Sequence, residues 1–196
     1  MTKHDIDRTV QPQRVAVSQI KIPTPEIIDL DNGFKALAIN AGSQDLARVE
    51  IIFRAGTRYQ HKSLVANAAI SLLSEGTANR TSQQIAEELD FYGSFLEPSF
   101  SRDFASVTFY TIGKHFYRSM DVLTDIMVNP VYPPHELELF CRKGKQSLLV
   151  DLEKVSTLSR QRFFSALFGN NHPYGTFAEP DDYDKLLQTD LVQFRN

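Results

Sequence analysis

The chain has 196 residues, 42% of them hydrophobic and 23% charged, which suits one globular domain long enough to bury a core. A formal charge of −3 provides no field for nucleic acid or an anionic membrane surface, both of which select clustered positive charge, so neither is expected as a partner. One cysteine, Cys141, excludes an internal disulfide and a thiolate zinc site and suits a reducing compartment.

Residues 1–13 are polar and aperiodic and predict a flexible arm, leaving 14–196 as a single domain. The first residues lead into no apolar signal segment and no run is long enough to span a membrane. The expected location is the cytoplasm, or the periplasm if a leader has been removed. Alternating apolar positions predict a strand over Val15–Ile22, and Asp31-Asn32-Gly33 signals a turn before a second over Phe34–Ile39. In a third, over Ala47–Ala55, Val49, Ile51 and Phe53 share one face and Glu50 and Arg54 the other. The three read as a β-meander with one buried face.

From about Lys62 the period changes, since Leu64, Val65, Ala68, Ala69, Leu72 and Leu73 fall on one side of a helix that Glu75-Gly76-Thr77 ends. Thr81 to Gln84 has capping-box spacing, and Ile85, Ala86 and Leu89 give the next helix its apolar stripe. Strands over Ser94–Phe100 and Phe104–Thr111, joined by Ser101-Arg102-Asp103, should pair as a hairpin. Phe116, Met120, Leu123 and Met127 mark a helix that stops at Asn129-Pro130. A long helix begins near Pro134 with Leu137, Phe140, Cys141, Leu148 and Leu152 inward, Cys141 being read as a small buried hydrophobe. Another carries Phe163, Phe164, Leu167 and Phe168 up to Gly169-Asn170-Asn171. Strands early and helices late predict an α+β fold, an antiparallel sheet with helices packed on one face.

Five short motifs then stand in a fixed order: Asn32-Gly33, Phe53-Arg54-Ala55-Gly56-Thr57, Glu75-Gly76-Thr77, Gly93 ahead of the hairpin, and Phe168-Gly169-Asn170-Asn171-His172-Pro173-Tyr174-Gly175. Together with the element order they resemble the N-terminal half-domain of the insulinase, pitrilysin and mitochondrial processing peptidase family, from about residue 25 to the end. Active members of that family carry an inverted zinc motif, H-x-x-E-H, on the first helix. Aligned on Glu75-Gly76-Thr77, the resemblance places it on Asn67-Ala68-Ala69-Ile70-Ser71, so that Asn67 and Ser71 replace the histidines and Ile70 the catalytic glutamate. The family's third ligand, a glutamate on the long helix, falls near Lys143-Gly144-Lys145-Gln146-Ser147, where there is no acid.

An amide and a hydroxyl supply none of the imidazole, thiolate or carboxylate groups that hold zinc, and an isoleucine cannot take a proton from water. No catalytic residue, metal or cofactor is therefore expected, zinc included. His135-Glu136-Leu137-Glu138-Leu139 begins like H-E-x-x-H but has Leu139 in place of the second histidine and reads as a solvated first helical turn. His61, His115 and His172 lack ligand spacing, and Arg142, Lys143 and Lys145 read as a solvated helix face. The polar side chains of Asn67, Ser71 and Ser74 suit the exposed side of a core helix even without a function.

The resemblance implies a non-catalytic member of the family, a subunit that shapes a peptide chamber in a homo- or hetero-oligomer with a related peptidase subunit, an active one included. An extended peptide would add to a strand edge. The matching segment is Phe95, Leu96, Glu97, Pro98 and Ser99, with Glu97-Pro98 where active members often show Asn-Ala. Two alternatives stay open, a zinc metallopeptidase with a different ligand set and a structural dimerisation module. The resemblance further implies a strand after residues 189–196 and a second half-domain, so the chain is expected to be a piece of a longer two-domain protein.

Overall fold

A computed structural model of the chain describes residues 22–195, together with Thr9, Gln11, Arg14, Gln19 and Ile20. Apart from Thr9 and Gln11, the arm expected over 1–13 lies outside the described residues, as does most of the strand expected over Val15–Ile22; Gln19, Ile20 and Ile22 are not in a strand. The chain divides into two compact units, Met1–Gln44 and Asp45–Asn196.

In the first unit β1 (Glu26–Asp29) pairs antiparallel with β2 (Lys35–Ala38). Asn32 and Gly33 make the turn as expected: Gly33 takes a φ of +82°, and the Asn32 side-chain oxygen accepts a hydrogen bond from the Phe34 amide at 3.1 Å. An ion pair of 2.6 Å joins Lys35 to Asp29 across the hairpin.

The second unit holds a three-stranded antiparallel sheet in the order β3-β5-β4, from β3 (Leu46–Phe53), β4 (Phe95–Phe100) and β5 (Ala105–Ile112). The predicted meander is thereby corrected. β3 takes β5 as its partner, because Val49 opposite Phe109, Ile51 opposite Val107 and Phe53 opposite Ala105 align two apolar faces in register. The other face is polar and aromatic, with Phe95 stacked on Tyr110 at 4.4 Å and the Arg48 guanidinium 5.8 Å from the same ring. Val107 and Phe109 share the core with Val65 and Ala68 of α1 (Val65–Ser71), Ile85 of α2 (Ser82–Tyr92) and Val122 and Ile126 of α3 (Phe116–Val128). The fold is thus α+β with antiparallel sheets, as the sequence predicts.

The capping box of α2 is formed: Thr81 Oγ1 accepts from the Gln84 amide, and Gln84 Oε1 accepts from the Thr81 amide at 2.9 Å. Its buried stripe is Ile85 and Leu89, while Ala86, expected inside, is exposed. In α3 the buried face is turned from the expected Phe116, Met120, Leu123 and Met127 to Ser119, Val122, Leu123, Asp125 and Ile126. Two polar anchors account for the turn. Ser119 closes a buried ring of hydroxyls with Ser94 and Thr111, each contact 2.8–2.9 Å, and Asp125 enters a buried network.

The remaining helices are α4 (Pro134–Leu152), α5 (Val155–Phe168) and α6 (Gln188–Arg195). Of the inward positions expected on α4, Leu137 is buried while Phe140, Cys141, Leu148 and Leu152 are half-buried. Burial raises the Cys141 thiol pKa, with a smaller contribution from Asp184. Gly169 ends α5 at a φ of +85°. Among the described residues no helix is long and apolar enough to cross a membrane.

Gly56 shows why a bare backbone is needed in its motif. A Cβ there would lie 2.4 Å from the Arg102 carbonyl carbon and oxygen, a clash that only a shift of backbone could relieve. Gly56→Ala should therefore lower unfolding free energy by about 1–3 kcal/mol, measured by urea titration; an unchanged midpoint would contradict this close approach.

Candidate functional site

The helix on which the resemblance places the zinc motif, α1, is short and deeply set. Val65, Ala66, Ala68, Ala69 and Ile70 are buried, and Leu64 enters the helix in the left-handed region at φ 70°. Asn67 and Ser71 lie one turn apart, half-buried, and the Ser71 hydroxyl donates to Asn67 Oδ1 at 3.0 Å. Ile70, only 7% exposed, belongs to the apolar core. This donor set does not fit a zinc ion: the amide oxygen already accepts from the neighbouring hydroxyl, and neither group is an ordinary zinc ligand.

The remaining candidates are dispersed. On α4 a Cβ at Gly144 would sit 2.5 Å from Cε1 of Tyr183, so that ring leaves no room for a side chain at one of the five positions over which the resemblance expects an acid, and Lys145 pairs with Asp184. His135 and Glu138 are exposed in the first turn of α4, as a solvated turn should be. His115 lies against Tyr92 with ring centroids 5.5 Å apart, and His172 stacks on Phe168 at 5.3 Å. Among the described residues no three or more His, Cys, Asp or Glu side chains are grouped to hold a metal ion.

A cleft of about 550 Å³ adjoins Asn67. Its walls are the segment 57–64, the hairpin tip Phe100-Ser101-Arg102 and the loop 171–178. A larger hollow, about 720 Å³, lies between α4 and the turn Pro180–Lys185 and includes none of residues 67, 70 and 71. The smaller cleft is the candidate site because it alone of the two reaches Asn67. Phe95, Leu96, Glu97, Pro98 and Ser99 lie on β4, an edge strand of its sheet, and lead to the cleft wall at Phe100 without lining it. Pro98 sits opposite Val107 on that edge strand, where a missing amide donor is tolerated.

The hairpin tip is fixed by contacts that sequence reasoning did not single out. Thr57 and Arg58 amides donate to the Ser101 and Arg102 carbonyls at 3.0 and 2.9 Å. Arg58 pairs with Asp103 at 3.0 Å, and the Tyr174 hydroxyl donates to both Asp103 oxygens at 2.6 and 2.7 Å. That hydrogen bond, then the one from Arg58, lowers the Asp103 pKa, and the same bond raises that of the Tyr174 phenol. Lys62, on the cleft wall, pairs with Asp190 of α6. Burial would raise the Asp190 pKa, but hydrogen bonds from Lys62 and the Leu187 amide outweigh it and the net shift is downward. The legible signal was Tyr174 within His172-Pro173-Tyr174-Gly175; its acidic partner, 71 positions away, was not legible.

The second unit is thus an antiparallel α+β unit with a cleft beside a buried first helix. The chain belongs to the insulinase family (peptidase family M16), whose family model matches residues 35–172. It is similar to an uncharacterized zinc protease of Rickettsia felis, 22% identical over 76% of this chain and 36% of that protein. Similarity extends to the mitochondrial-processing peptidase subunit beta of Caenorhabditis elegans, 26% identical over 95% of this chain and 38% of that protein. Its fold matches the crystal structure of a peptidase M16 inactive domain from Pseudomonas fluorescens with a TM-score of 0.82, at 17% identity over 88% of this chain and 43% of that one. The chain spans well under half the length of the proteins it matches.

Proposed function

We propose that this chain is a non-peptidase member of the M16 family, a subunit that holds an extended peptide in the cleft beside α1 and works with a related subunit. The observation that carries this reading is the Asn67, Ile70 and Ser71 set on α1, hydrogen-bonded and buried in ways unsuited to zinc, beside a cleft that persists. The inactive domain named for the Pseudomonas fluorescens structure and the subunit named for the worm relative support it. Peptide would add along the β4 edge, a backbone-driven mode independent of a metal.

The zinc protease named for the Rickettsia felis relative favours the second reading, a peptidase with a different ligand set. One preparation separates them. After dialysis without chelator, elemental analysis should find zinc far below one per chain, labelled unstructured peptides should bind by fluorescence anisotropy, and no cleavage should follow by mass spectrometry. Stoichiometric zinc together with cleavage would establish the second reading instead.

A further inference from the structure

Three cations, Arg58, Lys62 and Arg102, and one histidine, His61, line the cleft, and among the described residues no aspartate or glutamate lines it. The carboxylates that answer two of these cations, Asp103 and Asp190, are not themselves on the wall. Arg102 differs from the other two. Its guanidinium carbon lies 3.8 Å from the centre of the Phe164 ring, 5.3 Å from that of Tyr174 and 5.8 Å from that of Phe177. Asp103, next in the chain, feels the Arg102 charge but accepts its hydrogen bonds from Arg58 and Tyr174. Among the described residues no carboxylate forms an ion pair with Arg102, and its side-chain N–H groups have no protein acceptor.

Aromatic stacking holds a guanidinium by its faces and leaves the N–H fork at its edge free for an acceptor. The group that best matches such a fork is a carboxylate, taken by two parallel charge-assisted hydrogen bonds. Lys62 and His61 on the same wall add to the positive field, and a concave low-dielectric site concentrates that field on an incoming anion. From these observations we infer that the cleft selects peptides bearing a carboxylate and that Arg102 is the residue that receives it. The inference rests on the peptide-holding reading above and narrows it to acidic ligands. The carboxylate could come from an Asp or Glu side chain or from a free C-terminus, and both present the same chemistry.

The test uses the intact chain and labelled unstructured peptides of one length in three forms: neutral with an amidated C-terminus, neutral with a free C-terminus, and Glu-containing with an amidated C-terminus. At low ionic strength at least one carboxylate-bearing form should bind about tenfold or more tighter than the neutral amide, and the form that does so identifies the source. The advantage should shrink as salt is raised, which needs no variant. Arg102→Met keeps an apolar side chain against Phe164 and should abolish the preference, so that the three forms bind alike; a thermal melt checks that the variant is folded. Equal binding of all three forms by the wild-type chain would overturn the carboxylate inference and leave the peptide-holding reading standing. Absence of binding for every form would overturn both.

Discussion

Asp125→Ala should lower unfolding free energy by about 3–5 kcal/mol, and the wild-type protein should lose stability in acid through the same carboxylate. Asp125 is 6% exposed and accepts four hydrogen bonds, from Thr77 Oγ1 at 2.7 Å, Arg80 at 2.7 Å, Asn79 Nδ2 at 2.6 Å and Asn129 Nδ2 at 2.9 Å. Thr77 Oγ1 in turn accepts from the amides of Asn79 and Arg80, and Arg80 reaches on to Glu88 at 2.9 Å. Every neighbour is a donor, which an ionised carboxylate, an acceptor at both oxygens, satisfies completely. Asparagine would turn an NH₂ group toward donors, so Asp125→Asn should also destabilise, though less than alanine, which leaves all four donors without this acceptor and Arg80 with Glu88 as its remaining carboxylate partner. Burial taken alone would raise the Asp125 pKa; the hydrogen bonds from Thr77, Asn129, Asn79 and Arg80 outweigh it and hold the group far below the ordinary carboxylate range. A carboxylate with a depressed folded pKa contributes its full stability above the unfolded value, about 3.9, and loses it as pH falls toward the folded one. Urea midpoints measured downward from about pH 6 should therefore drop below about pH 4 in the wild type more steeply than in Asp125→Asn. Parallel pH profiles would show that Asp125 is not the group responsible.

The features legible in the sequence were those written within a few residues. Thr81 and Gln84 announced the start of α2, Asn32-Gly33 a turn, and Ser101 to Asp103 the tip of a hairpin, because caps and turns are set by local donors and acceptors. The partner of β3 was not legible in this way. Its face of Val49, Ile51 and Phe53 would suit any apolar strand, and only the distant run Ala105, Val107 and Phe109 completes it. β1 escaped notice because it is four residues long and follows Pro23 and Pro25. On α3 the polar residues Ser119 and Asp125 count as surface in any hydrophobic pattern, yet both are buried because partners on other elements satisfy them. The same division holds at the site. Motif spacing led to Asn67, Ile70 and Ser71, whereas Arg58, Arg102 and Tyr174 come from three separate segments that only folding brings together.

Rebuilding the zinc motif by Asn67→His, Ile70→Glu and Ser71→His should yield a protein less stable by about 3–5 kcal/mol and without peptidase activity. Position 70 sets the size of the loss. Ile70 packs in the core cluster, so glutamate there removes apolar contacts and places a carboxyl among groups that offer it no hydrogen bond. Such a carboxyl has a raised folded pKa, so part of the deficit arises from forcing it to ionise or to stay protonated against the solvent pH. That part is largest above the folded pKa and disappears below the unfolded one, near 4.3. The gap between variant and wild type should therefore be wider at about pH 7 than at about pH 4.5, read as the difference in urea midpoints, with Ile70→Glu alone accounting for most of it. An unchanged midpoint at neutral pH would mean that position 70 faces solvent or finds a partner. Activity should stay absent because α4 has no acid over residues 143–147, and because Tyr183 stands 2.5 Å from where a Cβ at Gly144 would lie. Adding Gly144→Glu should consequently destabilise the protein further before it could complete a ligand set. Cleavage of an unstructured peptide by the triple variant, with zinc bound in equal amount, would instead place the third ligand elsewhere in the fold.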